Sequence, residues 1–240
     1  MYWGFRRWRR GDEELELTLL PLLCSRERIS VDIGANFGMW TVRMLPLSRR
    51  CIAFEPIPAF ARMLARGFGS GLEVHAVALS DHSGTAELRI PHLYTGYSTI
   101  DAANRLESRQ AGVIDCLKVD VARLDDYGFA DVGFVKIDVE GHEEAVLRGC
   151  ESTLDRTRPN VIVEVEERHN PGSVGRVVTW MRERGFAASS IVGGVAKDLA
   201  HFDLAEHQRT TSVESYARNI VFVPDERRAD LWDSIALAVQ

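Results

Sequence analysis

The stretch Phe134-Val135-Lys136-Ile137-Asp138-Val139-Glu140-Gly141-His142-Glu143-Glu144-Ala145-Val146-Leu147 decides how the chain is read. Its first half is apolar and β-branched, as in a buried strand, and its second half becomes a helix after Gly141. Asp138, Glu140, His142, Glu143 and Glu144 crowd the junction. Open α/β sheets bind ligands beyond the carboxyl ends of their strands, so this junction is the first place to look for chemistry.

Outward from it, the same alternation recurs. Residues 29–33, 50–54, 72–79 and 160–165 read as strands, and 40–47, 59–66, 143–154 and 174–184 as helices. Such alternation means parallel βαβ units. Residues 189–192 and 219–223 read as a closing antiparallel pair. The spacing of Leu15, Leu19, Leu22 and Leu23 predicts a leading helix over 13–24. Residues 85–90 alternate like an exposed strand, 116–121 form another, and 91–115 are polar and irregular. The expected fold is α/β and Rossmann-like, with a mostly parallel seven-stranded sheet and a C-terminal antiparallel hairpin strand, the outline of a class I methyltransferase. One domain is expected over 1–240: an arm and helix over 1–28, a core over 29–224 and a variable loop region over 91–115.

Composition narrows the function. The chain has 240 residues, 45% hydrophobic and 27% charged, as globular domains have. A net charge of −6 argues against a nonspecific nucleic-acid binder. No apolar run approaches the ~20 residues of a membrane span. Cys24, Cys51, Cys116 and Cys150 form no CxxC pair and read as reduced thiols of a cytoplasmic protein. The first ten residues, rich in arginine and aromatics, run into acidic Asp12-Glu13-Glu14 rather than the apolar core of a signal peptide. They read as a frayed or snorkelling arm, with contact to an anionic surface or a second subunit as the alternative.

Val31-Asp32-Ile33-Gly34-Ala35-Asn36-Phe37-Gly38 is a strand, a tight turn and a helix start. Gly34 lets the backbone approach a ligand closely, and Glu55, at the next strand end, is placed to accept ribose hydroxyls. A dinucleotide site would want G-x-G-x-x-G; here Asn36 stands between Gly34 and Gly38. That favours S-adenosylmethionine, which has no phosphate to cradle, and Asp32 suits its cationic methionine end. A nicotinamide-dependent oxidoreductase and a non-catalytic nucleoside-binding domain are the alternatives.

These residues also resemble the FkbM-type methyltransferases over roughly 30–224. The likeness rests on residues 31–38, on Ala53-Phe54-Glu55-Pro56-Ile57-Pro58 and on Ala78-Leu79-Ser80-Asp81. Leu124-Asp125, residues 135–143, Val146-Leu147-Arg148-Gly149, Val163-Glu164 and the strand before Pro224 complete it. The resemblance implies an S-adenosylmethionine-dependent transferase, typically acting on a hydroxyl of a sugar, glycan or natural product. It further implies that Asp32, Gly34 and Asn36 line the methionine side and Glu55 holds the ribose. Ala78, Leu79 and Ser80 would edge the adenine, and Asp138 would sit beneath the transferring methyl. The first ten residues and the region 91–115 stand outside the shared pattern.

Methyl transfer to an alcohol needs alignment and a proton acceptor. His142, titrating near neutrality just beyond the strand end, is the expected base, with Asp138 as the second catalytic residue. Glu140, Glu143 and Glu144 read as acids that favour a helix start. Glu164, Glu166 and His169, with Asp138 and His142, could ligate Mg²⁺ or Mn²⁺, but their spacing matches no metal motif and no metal is expected. Lys136 lies within the buried strand and is expected to pair with a neighbouring carboxylate or run its stem along the core. Tyr94, Gly96, Tyr97, Ser98 and Thr99 read either as a binding loop over the sheet edge or as a surface excursion. The expected partner is a small-molecule or carbohydrate acceptor, with no nucleic acid and no stable membrane insertion, and a homo-oligomer stays open.

Overall fold

The computed structural model describes residues 14–92, 95–104, 106, 113–212 and 216–238. The arginine-rich arm, Tyr94 and most of 105–112 lie outside the described residues. A 3₁₀ turn (Leu15–Leu19) and one α-turn, α1 (Leu20–Leu23), stand where a single leading helix was expected. Pro21 is tolerated because it occupies the first turn.

The main sheet has eight strands in the order β10-β9-β11-β8-β7-β1-β2-β3. Five run parallel: β1 (Ile29–Ile33), β2 (Arg50–Phe54), β3 (Leu72–His75), β7 (Val132–Ile137) and β8 (Asn160–Glu164). Strands β1, β7 and β8 are buried at every position, as strands covered on both faces must be. At the far side, β11 (Asn219–Pro224) inserts antiparallel between β8 and β9 (Phe186–Val192). This is the expected α/β class with its reversed closing strand. One edge strand goes beyond the expectation: β10 (Val195–Asp198) pairs back on β9 through a two-residue turn. Its central residues, Gly193 and Gly194, have φ of 57° and 75°, as a type I′ hairpin needs.

The stretch 72–79 is not one strand. The chain leaves the main sheet after His75, and β4 (Ala78–Leu79) joins a second sheet of order β4-β6-β5. There β5 (Gly84–Pro91) and β6 (Ile114–Ala122) form a long antiparallel pair. The small apolar core of Ala78, Leu88, Val119 and Val121 pulls β4 away from the edge of the main sheet.

Helices cover the main sheet. α2 (Met39–Met44) stops earlier than expected because Pro46 lacks the N–H to continue it, and Leu45–Leu47 form a 3₁₀ turn instead. α3 (Pro58–Gly67) matches expectation. The helix expected over 143–154 is two, α4 (Glu143–Gly149) and α5 (Glu151–Thr157), parted at Cys150. The break leaves N–H groups at the start of α5, and the Asp125 carboxylate accepts from Ser152 N and Thr153 N at 3.0 and 2.8 Å. α6 (Ser173–Arg182), α7 (Leu204–Thr210) and α8 (Arg228–Ala238) complete the layers. The order of strands reverses between β1 and β7, which places a crevice at their carboxyl ends.

Candidate active site

The turn after β1 is shaped by two left-handed residues, Gly34 (φ 80°) and Asn36 (φ 49°). A Cβ on Gly34 would lie 1.8 Å from Asp138 O, so only glycine lets β1 close against the end of β7. Asp138 N in turn donates to Ile33 O at 3.0 Å. The two strand ends are one unit.

Glu55 is buried beside that turn. Its Oε2 accepts from Asn36 N at 2.8 Å and its Oε1 from Ile57 N at 2.7 Å. Burial pushes its pKa up to about 7, against the pull of those two donors. Asp32 lies behind the turn, where its Oδ2 accepts from the Thr41 hydroxyl at 2.5 Å and burial raises its pKa to about 6.

Below Asp138 sits a buried charge network. Lys136 Nζ is fully enclosed, 3.9 Å from both Asp138 Oδ2 and Glu164 Oε2, and 5.0 Å from the Trp40 ring centroid. Burial opposes its charge, but Asp138 and Glu164 outweigh burial and raise its pKa. Arg218 bridges Glu164 at 2.9 Å and Glu14 at 3.0 Å.

Next to it, Glu140 (φ 53°) turns its carboxylate 2.9 Å from His169 Nε2, which also lies 3.2 Å from Glu166 Oε1. Arg168 closes on the same Glu166 oxygen at 2.6 Å. Ligand atoms of Glu140, Glu166 and His169 lie within 4.8 Å of one another, as do those of Asp138, Glu140 and Glu164. Their donor types suit a hard divalent cation. However, His169 and Arg168 already place positive charge on these acids, and the two carboxylates push the His169 pKa up to about 9 despite its burial. Glu166 and Glu140 are thereby paired within the protein.

His142 stands on the opposite wall. Its Nε2 is 2.8 Å from Ser80 Oγ and its Nδ1 is 3.4 Å from Asp101 Oδ2. Burial lowers its pKa, outweighing Asp101 and Asp81, so the ring is neutral near pH 7. Glu143, read from the sequence as an acid favouring the helix start, is enclosed. It accepts from Gly141 N at 2.8 Å, and burial pushes its pKa up to about 8.

Gly34, Asn36, Glu55, Ala78, Leu79, Asp138 and His142 line one cleft that opens to solvent. Thr95, Gly96, Ser98, Thr99 and Ile100 of the irregular segment line it as well. Residues 32–188 match the Methyltransferase FkbM domain. The chain belongs to the FkbM methyltransferase family.

Among relatives of this FkbM domain, a protein named Methyltransferase 1 from Beauveria bassiana is 30% identical, with 66% of this chain and 72% of that protein covered. The 31-O-demethyl-FK506 methyltransferase FkbM of Streptomyces tacrolimicus is also 30% identical, over 65% of this chain and 71% of its own. A crystal structure of methyltransferase FkbM from Methylobacillus flagellatus shares the fold at a TM-score of 0.52 and 15% identity. That likeness covers 82% of this chain but only 44% of the other.

Family membership implies S-adenosylmethionine as cofactor, and the residues present fit it. Asn36 Oδ1 is buried with no protein partner, and each Glu55 oxygen retains a lone pair beside the cleft. Two residues expected at the cofactor, Asp32 and Ser80, stand behind the cleft rather than in it. Three others matter more than the sequence reading allowed. Asp101 and Asn104 sit in the irregular segment, where nothing in the spacing marks them. Asp125 was visible only as part of the Leu124-Asp125 pair, and its signal is that a cap can come from outside its own helix. Among the described residues no helix is long and apolar enough to cross a membrane.

Proposed function

We propose that this chain transfers a methyl group from S-adenosylmethionine to a hydroxyl oxygen of a small molecule, a sugar, glycan or natural product. One observation supports oxygen as the target: the half-buried imidazole of His142, whose pKa is lowered by its desolvation, lines the same cleft as Asp138 and Glu55. A hydroxyl must lose its proton during attack, and a neutral imidazole contributes about 10²–10⁴-fold by accepting it.

When bound, the cofactor supplies an electrophilic methyl on a sulfonium. Glu55 would accept the ribose hydroxyls, Asn36 and the Gly34 turn would hold the methionine side, and Ala78 and Leu79 would flank the adenine. Asp138, anchored by Lys136, would place negative charge beside the sulfonium. Asp32 would act from behind, fixing the start of α2 through Thr41.

The test is labelled S-adenosylmethionine offered with fractionated metabolites and glycans, followed by mass analysis of what gains a methyl group. The label should appear as an ether. Label only on nitrogen, or thermal stabilisation by NAD(H) with none by S-adenosylhomocysteine, would overturn the reading.

A further inference from the structure

The irregular segment is tied over the site at several points. Thr99 pairs with Arg89 of β5 through two backbone hydrogen bonds of 3.0 and 3.1 Å. The Arg89 guanidinium donates to Asp101 O and to Asn104 O. Asn104 Nδ2 reaches Glu140 O at 2.7 Å, while its Oδ1 accepts from Leu106 N at 3.0 Å. Residues 99–104 are therefore a strap, and the strap delivers Asp101 to His142.

The two nitrogens of His142 differ. Nε2 points inward to Ser80 Oγ, whose residue is wholly buried and cannot meet a substrate. Ser80 Oγ has a single proton and lies 3.2 Å from Asp81 Oδ1, the carboxylate oxygen that His82 Nδ1 also meets at 2.7 Å, and 3.4 Å from His82 Nδ1 itself. Donating to Asp81 leaves Ser80 Oγ to accept Nε2–H. On the other side, Nδ1 and Asp101 Oδ2 are 3.4 Å apart, beyond the ~2.7–3.2 Å of an N–H···O bond and well beyond the ~2.7–2.9 Å of a charged one. That gap leaves Nδ1 without a close hydrogen bond to Asp101 in this arrangement. Asp101 Oδ1 is already taken by Ala103 N at 2.7 Å, so Oδ2 is the oxygen left facing the ring. Both side chains keep some exposure, 15% for His142 and 19% for Asp101.

We propose that the acceptor's hydroxyl docks from the cleft against His142 Nδ1, beside Asp101 Oδ2, that Nδ1 takes its proton, and that Ser80 keeps Nε2–H turned away. This rests on the hydroxyl-methylation reading above. The acceptor O–H bond breaks and its proton passes to Nδ1. The oxygen's electron pair forms the new C–O bond, and the pair of the broken C–S bond stays on sulfur. A neutral alcohol, a sulfonium and the neutral imidazole become an ether, a thioether and an imidazolium. The new Nδ1–H then closes on Asp101, which stabilises the charge; Asp81 and His82, from the β4–β5 turn, are the other charged or titratable groups that act on the ring.

The tautomer is measurable without cofactor or turnover. In full-length protein with ¹⁵N-labelled histidine, the His142 signal, assigned by its loss in His142→Gln, should report protonated Nε2 and bare Nδ1 at pH 7.5. Ser80→Ala should shift that signal toward a mixture of tautomers. Asp101→Asn keeps an oxygen for Ala103 N and should preserve the melting temperature while lowering kcat by about 10²-fold or more. A resting Nδ1–H tautomer, or wild-type kcat in Asp101→Asn, would overturn the proposal and leave hydroxyl methylation standing. Absence of any ether product would instead sink the reading on which it rests.

Discussion

Glu55 shows how one side chain can carry both fold and chemistry. Its two oxygens hold the Asn36 and Ile57 amides, so it fixes the turn that shapes the cleft and still offers lone pairs to a ribose. Glu55→Ala should weaken S-adenosylhomocysteine binding by about 1.5–3 kcal/mol, the worth of hydrogen bonds to a charged group. Isothermal titration calorimetry would show this, and wild-type affinity would refute the ribose role. Because its pKa lies near 7 in the free protein and hydroxyl donors favour the carboxylate, affinity should rise as pH increases through 7. At this scale the sequence was informative about identity and poor on exposure. Gly34, Asn36, Glu55, Asp138 and His142 were recognisable from type and position at strand ends. That Glu143 is enclosed and Ser80 turned to His142 was not, because burial depends on segments far away in the chain.

Elements were legible where periodicity ruled and misread where packing cut across it. The apolar pattern of 143–154 reads as one helix, but Gly149 lies against the β4–β5 turn, where a Cβ would sit 1.9 Å from Ser80 O. The chain parts there, and Asp125 caps the second piece. Asp125→Ala should therefore destabilise the protein by about 1–2 kcal/mol, as loss of a cap does, with cofactor affinity little changed. Urea denaturation beside a binding titration would separate the two effects. The same logic applies to 72–79, where a continuous β pattern conceals a change of sheet. The Gly193-Gly194 turn was a local signal for β10, readable from sequence alone.

The whole molecule concentrates acids at one end of its sheet, and this has a consequence for stability. Burial holds Glu143, Glu55 and Asp32 at about 8, 7 and 6, against ordinary values of 4.5, 4.5 and 3.8. Between those limits the native state keeps protons that the unfolded chain has released, so stability falls as pH rises. His169, raised from 6.5 to about 9 by Glu140 and Glu166 against its burial, has the same sign and extends the loss toward pH 9. Glu166, lowered to about 2 by His169 and Arg168 despite its burial, acts oppositely, and its contribution fades as pH drops from 4.5 toward 2. The cofactor-free protein should thus melt highest at mildly acidic pH. Calorimetry from pH 5 to 9 should show a falling melting temperature, and Glu143→Gln should flatten that slope; a rise toward pH 8 would refute it. By itself, the sequence determined the α/β class, the family, and the places of Gly34, Glu55 and Asp138 in the cleft's lining, because strand-end glycines and acids are local signals. Only the tertiary structure decided which acids are buried, that Asp101 comes down on a strap to His142, and that Ser80 meets the ring's Nε2. Those depend on contacts between residues distant in the chain, and no local pattern encodes them.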